Sequence, residues 1–160
     1  MKILVDADSC PKQARELILR RAARLSSGAV GIKVVFAANR EIPGLSNSPD
    51  VVMELCPPGD NSADDRIVEL AQSGDLVVTR DVPLAKRLVE KGAAVIDDRG
   101  RIFTKENINQ LLSLRNFMVD LADNGLEIER TANYGKKELK TFADSLDRIL
   151  TRCLKGTESN

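Results

Sequence analysis

Aspartates hold most of the positions in this chain where chemistry could be done. The opening stretch, MKILVDADSCP, runs apolar residues straight into two carboxylates, Asp6 and Asp8, just before a proline that suits a helix start. Other short apolar runs end the same way, with Asp60 in ELCPPGD, Asp81 in VVTRD, and Asp97 with Asp98 in VIDD. Asp64 and Asp65 sit at the head of the stretch SADDRI. Carboxylates packed together repel, and the proton affinity of some rises unless a cation joins them. Hard oxygen donors gathered without nitrogen or sulfur suit Mg²⁺ or Mn²⁺. Taken singly, each acid has a plainer role. Asp8, Asp64, Asp65 and Asp81 suit helix starts, while Asp97 and Asp98 suit the turn at Arg99-Gly100. The plainer roles do not explain convergence of several acids on one place.

Composition narrows the chemistry from the other side. The chain has no histidine, which excludes imidazole acid/base work, Ser-His-Asp triads and imidazole metal ligation. Its three cysteines, Cys10, Cys56 and Cys153, lie far apart with no Cys-x-x-Cys pair, so neither a zinc site nor a thioredoxin-like motif is expected. Cys10 reads as structural, because Arg15 falls one residue short of the Cys-x₅-Arg phosphatase spacing. With 160 residues, 42% of them hydrophobic and 30% charged, the chain has the make-up of one ordinary globular domain. The 24 Lys and Arg balance the 24 Asp and Glu, so no global field draws a polyanion and any basic surface must be local. No charged-then-apolar leader is present, and no apolar run approaches the ~20 residues of a membrane span. The expectation is a cytoplasmic protein with no membrane partner.

The elements that must position these acids are legible from hydrophobic pattern. Strands are expected at 2–6, 32–37, 51–55, 75–79 and 93–97, with a small edge strand at 101–104. Helices are expected from Pro11 to about 25, at 62–73 and at 83–91, the last started by Pro83 and closed by Gly92. Two more helices follow, one carrying Ile108, Leu111, Leu112, Met118 and Leu121, the other running from Leu139 to Cys153. Strands alternating with helices imply a parallel sheet covered on both faces. In such sheets ligands bind beyond the carboxyl ends of the strands, near a topological switch point. Four of the five parallel strands deliver aspartate to that rim, which makes Asp6 and Asp8 one wall of an acidic metal pocket.

Several stretches together resemble the YaiI/YqxD family of uncharacterised bacterial proteins. They are VDADSCP, ADDRI, GDLVVTRDVPLA, KGA, RG with IFT and NI, LRNFM, and FADSLDR near the end. That family is similar to PIN-like domains, which are metal-dependent nucleases with a parallel sheet and an acidic rim. The resemblance implies a three-layer α/β fold: a mainly parallel five-stranded sheet with helices on both faces, plus C-terminal helices. It implies a single PIN-like domain over 1–155, a helical extension at about 105–155, and a disordered tail at 156–160. Carried over by motif, the PIN-like acids fall on Asp6, Asp64 and Asp81, with Asp8 as a further acid shared with the family. Relatives often carry Asp where this chain has Asn61, which leaves Asp60 as the neighbouring candidate ligand. The implied activity is divalent-metal-dependent phosphodiester cleavage of RNA or DNA, with Mg²⁺ or Mn²⁺ on Asp6, Asp64, Asp81 and Asp60. Arg80, Arg115 and Asn39 are the candidates to hold substrate.

Two other readings stay open. Asp6-Ala7-Asp8-Ser9 echoes the opening of haloacid-dehalogenase-like phosphatases, with Asp6 as nucleophile and Asp8 as general acid. The run from Gly59 to Asp64 echoes their later metal motif, although it comes early in the chain. A non-catalytic nucleic-acid or nucleotide binder is the third reading, using the basic helix face of Arg15, Arg20 and Arg24. The scarcity of aromatic residues argues against a stacking platform. Nothing in the sequence sets the oligomeric state.

Overall fold

A computed structural model describes all residues except 29, 46–47, 129–132 and 159–160. In chain order the elements are β1 (Lys2–Asp6), α1 (Lys12–Ser26), β2 (Lys33–Ala38), β3 (Val51–Leu55), α2 (Ser62–Leu70), β4 (Leu76–Val78), α3 (Val82–Glu90), β5 (Ala94–Ile96), β6 (Ile102–Phe103), α4 (Ile108–Asp123) and α5 (Lys136–Glu158). The strands form one sheet in the order β3-β2-β1-β4-β5-β6. The first five run parallel, and the short edge strand anticipated near 101–104 joins as a sixth, antiparallel to β5.

Alternation along the strands sorts the core into two layers. Ile3, Val5, Val34, Phe36, Leu76, Val78 and Ile96 pack on one face against α1 and α5. Leu4, Val35, Ala37, Val77 and Val95 pack on the other against α2, α3 and the start of α4. Central strands are therefore apolar on both faces, as parallel strands covered by helices must be. Each fully buried aliphatic side chain contributes about 1.5–3 kcal/mol by leaving water. The architecture is the expected three-layer α/β arrangement.

The switch point lies between β1 and β4. From β1 the chain crosses by α1 to β2 on one side, and it returns by α2 to β4 on the other. The β2–β3 crossover has no helix among its described residues. A bridge between Ser48 and Val51 closes it just before β3. At this junction the carboxyl ends of β1 and β4 open into the crevice where parallel sheets bind ligands.

Two helix boundaries differ from the periodicity. The helix expected at 62–73 ends at Leu70, because the buried Asp75 carboxylate takes over the backbone there. It accepts from Gln72 N–H at 2.9 Å and from Lys2 N–H at 2.8 Å, and it pairs with Lys2 Nζ at 3.0 Å. The last helix runs on to Glu158, past the start of the tail expected at 156, and residues 159–160 lie outside the described residues. Beyond Leu112, α4 leaves the body and exposes Leu114 and Phe117.

Gly100 closes the turn after β5 with φ +89°. A Cβ there would stand 2.7 Å from the carbonyl oxygen of Thr141 on α5. Gly100→Ala combines a left-handed conformation with a backbone clash, and should destabilise the fold by about 2–4 kcal/mol. Urea denaturation checks this, and a loss below about 1 kcal/mol would mean the turn and α5 are not packed this closely.

Candidate active site at the carboxyl edge of the sheet

Strand alternation decides which side chains meet at the rim. Asp6 continues the face of Leu4, and Thr79, just past β4, continues the face of Val77. Both turn toward the α2/α3 side. Asp6 is buried, and its Oδ2 accepts from the Thr79 hydroxyl at 2.9 Å and from the Ser9 hydroxyl at 3.1 Å. Asp81 caps α3, its Oδ1 accepting from Leu84 N–H at 2.7 Å, while its own N–H donates to Thr79 Oγ1 at 3.0 Å. Asp64 enters from the first turn of α2. Thr79 thus links two of the three acids directly.

Electrostatics registers this convergence. Burial holds the Asp6 carboxyl above the ordinary aspartate range; the Thr79 and Ser9 hydrogen bonds work against this, and the charges of Asp8 and Asp81 add to it. Asp64 is pushed up to about 6, first by burial, then by the charges of Asp81 and Asp6. These shifts follow when acids share space without a counter-cation. The donor chemistry, carboxylate oxygens with hydroxyls behind them, fits a hard divalent cation. As the side chains stand, no three acids among the described residues are close enough together to share one ion.

The remaining candidates are spread around this centre. Asp8 is exposed on the other flank of β1, with Oδ2 accepting from Asn39 N–H at 3.1 Å and Oδ1 at 3.9 Å from Arg40 Nε. Asn39 in turn accepts from the Ser62 hydroxyl at 2.9 Å, tying the end of β2 to the start of α2. Asp60 is exposed on the loop before α2, and Asp65 pairs with Arg87 at 2.8 Å. Asn61 has φ 65°, a left-handed conformation that Asn tolerates better than most residues. Asp97 serves its turn, accepting from the N–H groups of Arg99 and Arg101 at 2.9 Å each, and burial raises its proton affinity.

Arg80 follows the opposite parity. It continues the face of Val78 toward α1 and α5, where both oxygens of the buried Asp98 hold it, Nε to Oδ1 at 2.6 Å and Nη2 to Oδ2. Tyr134 donates to the Asp98 carbonyl oxygen at 2.6 Å, and Arg15 donates through Nη1 to the Cys10 carbonyl. The Cys10 thiol is pushed up to about 12, chiefly by burial, which suits a structural role. Arg115 is exposed on α4 and turns to Asn116 Oδ1 at 3.2 Å; among the described residues it meets no acid of the rim. Residue type alone did not single out Thr79 or Ser9, and it gave Asp98 a turn role rather than the clamp on Arg80. Alternation from Val77 and Ile96 was the available signal for Thr79 and Asp98.

The Asp64 shift carries a sign for stability. Its proton affinity is higher folded than unfolded, so the folded chain gains a proton between about 4 and about 6. Stability therefore falls as pH rises through that window, and the penalty is fully present above it. Asp64→Asn should raise the metal-free Tm at pH 7 by about 1–3 °C, a modest effect because solvent screens a partly exposed site. It should also flatten the Tm-against-pH profile between about 4 and 6. An unchanged profile would show that Asp64 is not crowded by the other acids.

The chain matches the family described as "Uncharacterized BCR, YaiI/YqxD family" over residues 4–152. It is 49% identical over 155 residues to a UPF0178 protein of Treponema denticola, covering 97% of this chain and 95% of that one. A UPF0178 protein of Treponema pallidum is 48% identical, covering 97% and 84% of the two chains. A third, from Syntrophobacter fumaroxidans, is 43% identical and covers 97% of each. No solved structure matches. Matched by that family over residues 4–152 and aligned over nearly its full length with these relatives, the chain belongs to the YaiI/YqxD family.

Proposed function

We propose that this protein is a divalent-metal-dependent phosphodiesterase of PIN-like type acting on nucleic acid. The observation that carries the reading is the approach of Asp6, Asp64 and Asp81, from β1, α2 and α3, to one side of the β1/β4 switch point. Their charges act on one another, with burial raising two of them, although they do not yet stand close enough to share an ion. Those three residues would hold Mg²⁺ or Mn²⁺, with Asp60, on the loop before α2, as the further candidate ligand. A bound ion would supply positive charge against the scissile phosphate and acidify water. Asp6 is fixed by Thr79 and Ser9, so it holds its orientation while Asp64 and Asp81 adjust around it. The Asp98 clamp takes one edge of Arg80 and leaves the guanidinium's outer edge, on a side chain 42% exposed, for a phosphate oxygen. Asn39 braces Asp8 through its backbone N–H and Ser62 through its side chain. A nucleic-acid substrate goes with a cytoplasmic location, and no described helix is long and apolar enough to cross a membrane.

The phosphatase reading is supported less well. It asks Asp8 to protonate a leaving group, but Asp8 lies on the other flank of β1 with its oxygens engaged by Asn39 N–H and Arg40. The acids that meet Asp6 from α2 and α3 are Asp64 and Asp81. In the phosphodiesterase scheme water attacks phosphorus, the bond to the leaving oxygen breaks, and Asp6 is never phosphorylated.

Purified protein with Mn²⁺ should cleave an unstructured oligonucleotide faster than it hydrolyses p-nitrophenyl phosphate, and EDTA should abolish the cleavage. Asp6→Asn, Asp64→Asn and Asp81→Asn should each lower the rate by about 100-fold or more, equivalent to ~2.7 kcal/mol of barrier. Asn at position 81 can still cap α3, so folding is retained. EDTA-resistant cleavage, or a phosphoryl adduct on Asp6 in acid-quenched samples, would overturn the reading.

A further inference from the structure

We propose that the outer face of α1 and α5 docks duplex DNA by its phosphate backbone. This face covers the opposite side of the sheet from Asp6, Asp64 and Asp81, and the inference goes beyond the reading of those acids. The two helices carry 11 Lys and Arg against 5 Asp and Glu, in a chain whose charges balance overall. The rest of the molecule is therefore net acidic, and the positive excess is gathered on one layer. On α5, Lys137, Lys140, Arg148, Arg152 and Lys155 are exposed and recur at helical spacing, opposite the buried Phe142, Leu146 and Ile149. At 1.5 Å per residue that row is about 27 Å long. On α1, Lys12, Arg20 and Arg24 are exposed, with Leu17, Ile18 and Ala22 buried beneath them. Arg21 pairs with Asp147 at 2.7 Å, which holds the two helices side by side. α1 runs from the carboxyl edge back to β2, and α5 runs from Gly100 down to Ala94, beside Arg152, so the two rows are aligned.

Acids are few on this face. Glu16 pairs with Lys12 at 3.8 Å, Asp147 is taken by Arg21, and Asp144 is exposed on α5. Among the described residues, Arg20, Arg24, Lys140, Arg148 and Arg152 form no ion pair. Like charges four residues apart, as at Arg20 and Arg24 or Arg148 and Arg152, destabilise a helix. A polyanion laid over both rows reverses that effect. The form of the surface selects among polyanions. An acidic membrane asks for apolar side chains to insert, yet among the described residues the exposed large ones are Leu55, Leu126 and a group on α4. An unpaired strand asks for aromatic platforms, but α1 has none and Phe142 of α5 is buried. A duplex presents rigid rows of phosphates and needs neither. The α5 row is long enough to face about eight phosphates of one strand at about 3.4 Å spacing. Packed helix axes stand about 8–10 Å apart, so side chains splayed outward from both reach across the major groove of B-DNA, about 12 Å wide. The major groove of an RNA duplex is deep and narrow, beyond the reach of such a ridge.

The test is fluorescence anisotropy of the full chain, in EDTA, with a labelled DNA duplex of about 20 base pairs, long enough to cover both rows. Binding should weaken steeply with salt, with a slope of log K against log[salt] of about −3 to −5. Arg148→Gln with Arg152→Gln should reduce the slope by about two and weaken binding about tenfold at low salt. Arg20→Gln with Arg24→Gln, on the other helix, should do the same, and circular dichroism checks that each variant folds. Lys86→Gln, on α3 in the opposite layer, should leave binding unchanged. No binding at about 50 mM salt, or binding that either double variant leaves intact, overturns the proposal. So does an equal loss in Lys86→Gln. Equal or tighter binding to the matching RNA duplex, to the unpaired strand or to phosphatidylserine vesicles overturns it as well. EDTA strips any ion from the acids at the rim, so none of these results bears on whether those acids cut.

Discussion

A carboxylate buried at the central edge of a parallel sheet must be hydrogen-bonded or joined by a cation, and the rim of this protein is arranged around that requirement at Asp6. Two hydroxyls, from Thr79 and Ser9, share one of its oxygens. They offset part of the burial cost, and the folded state still holds Asp6 with raised proton affinity. Asp64 and Asp81 then arrive from the starts of two helices, where the positive helix ends favour acids. Helix dipoles and hydroxyls make the crowding tolerable without removing it. A divalent cation would remove it.

The two-residue period of a strand separates opposite charges across the same rim. Asp6 and Thr79 face the α2/α3 layer, while Arg80, one residue past Thr79, faces the α1/α5 layer and the buried Asp98. Asp6, Asp64 and Asp81 therefore approach one side of the strand ends, while Asp98 holds Arg80 on the other. Had Arg80 shared the acids' side, it would have paired with them and filled the place a cation can take.

Much of this was legible in the sequence because strands and acids carry short-range signals. Apolar runs ending in aspartate marked β1, β4 and β5, and the βα alternation implied the parallel sheet in which those ends share an edge. Pro83 and Gly92 bounded α3 to within a residue. Other features depend on long-range partners that no local pattern encodes. Asp75 ends α2 early by binding backbone groups that include the N–H of Lys2, 73 residues away. Asp98, read as a turn residue, is the clamp for Arg80. Arg115, a candidate to hold substrate, lies on a helix whose apolar stripe runs out into solvent after Leu112.

The central claim is that Asp6, Asp64 and Asp81 are three sides of one cation site. A crystal grown with millimolar Mn²⁺ and measured at the manganese absorption edge tests it directly. The account predicts an anomalous peak about 2.0–2.4 Å from an oxygen of each of the three carboxylates. It also predicts that Asp64 and Asp81 turn inward while Asp6 keeps its bonds to Thr79 and Ser9. No peak at the switch point, or a peak at Asp97 and Asp98 with the three acids still apart, would contradict it.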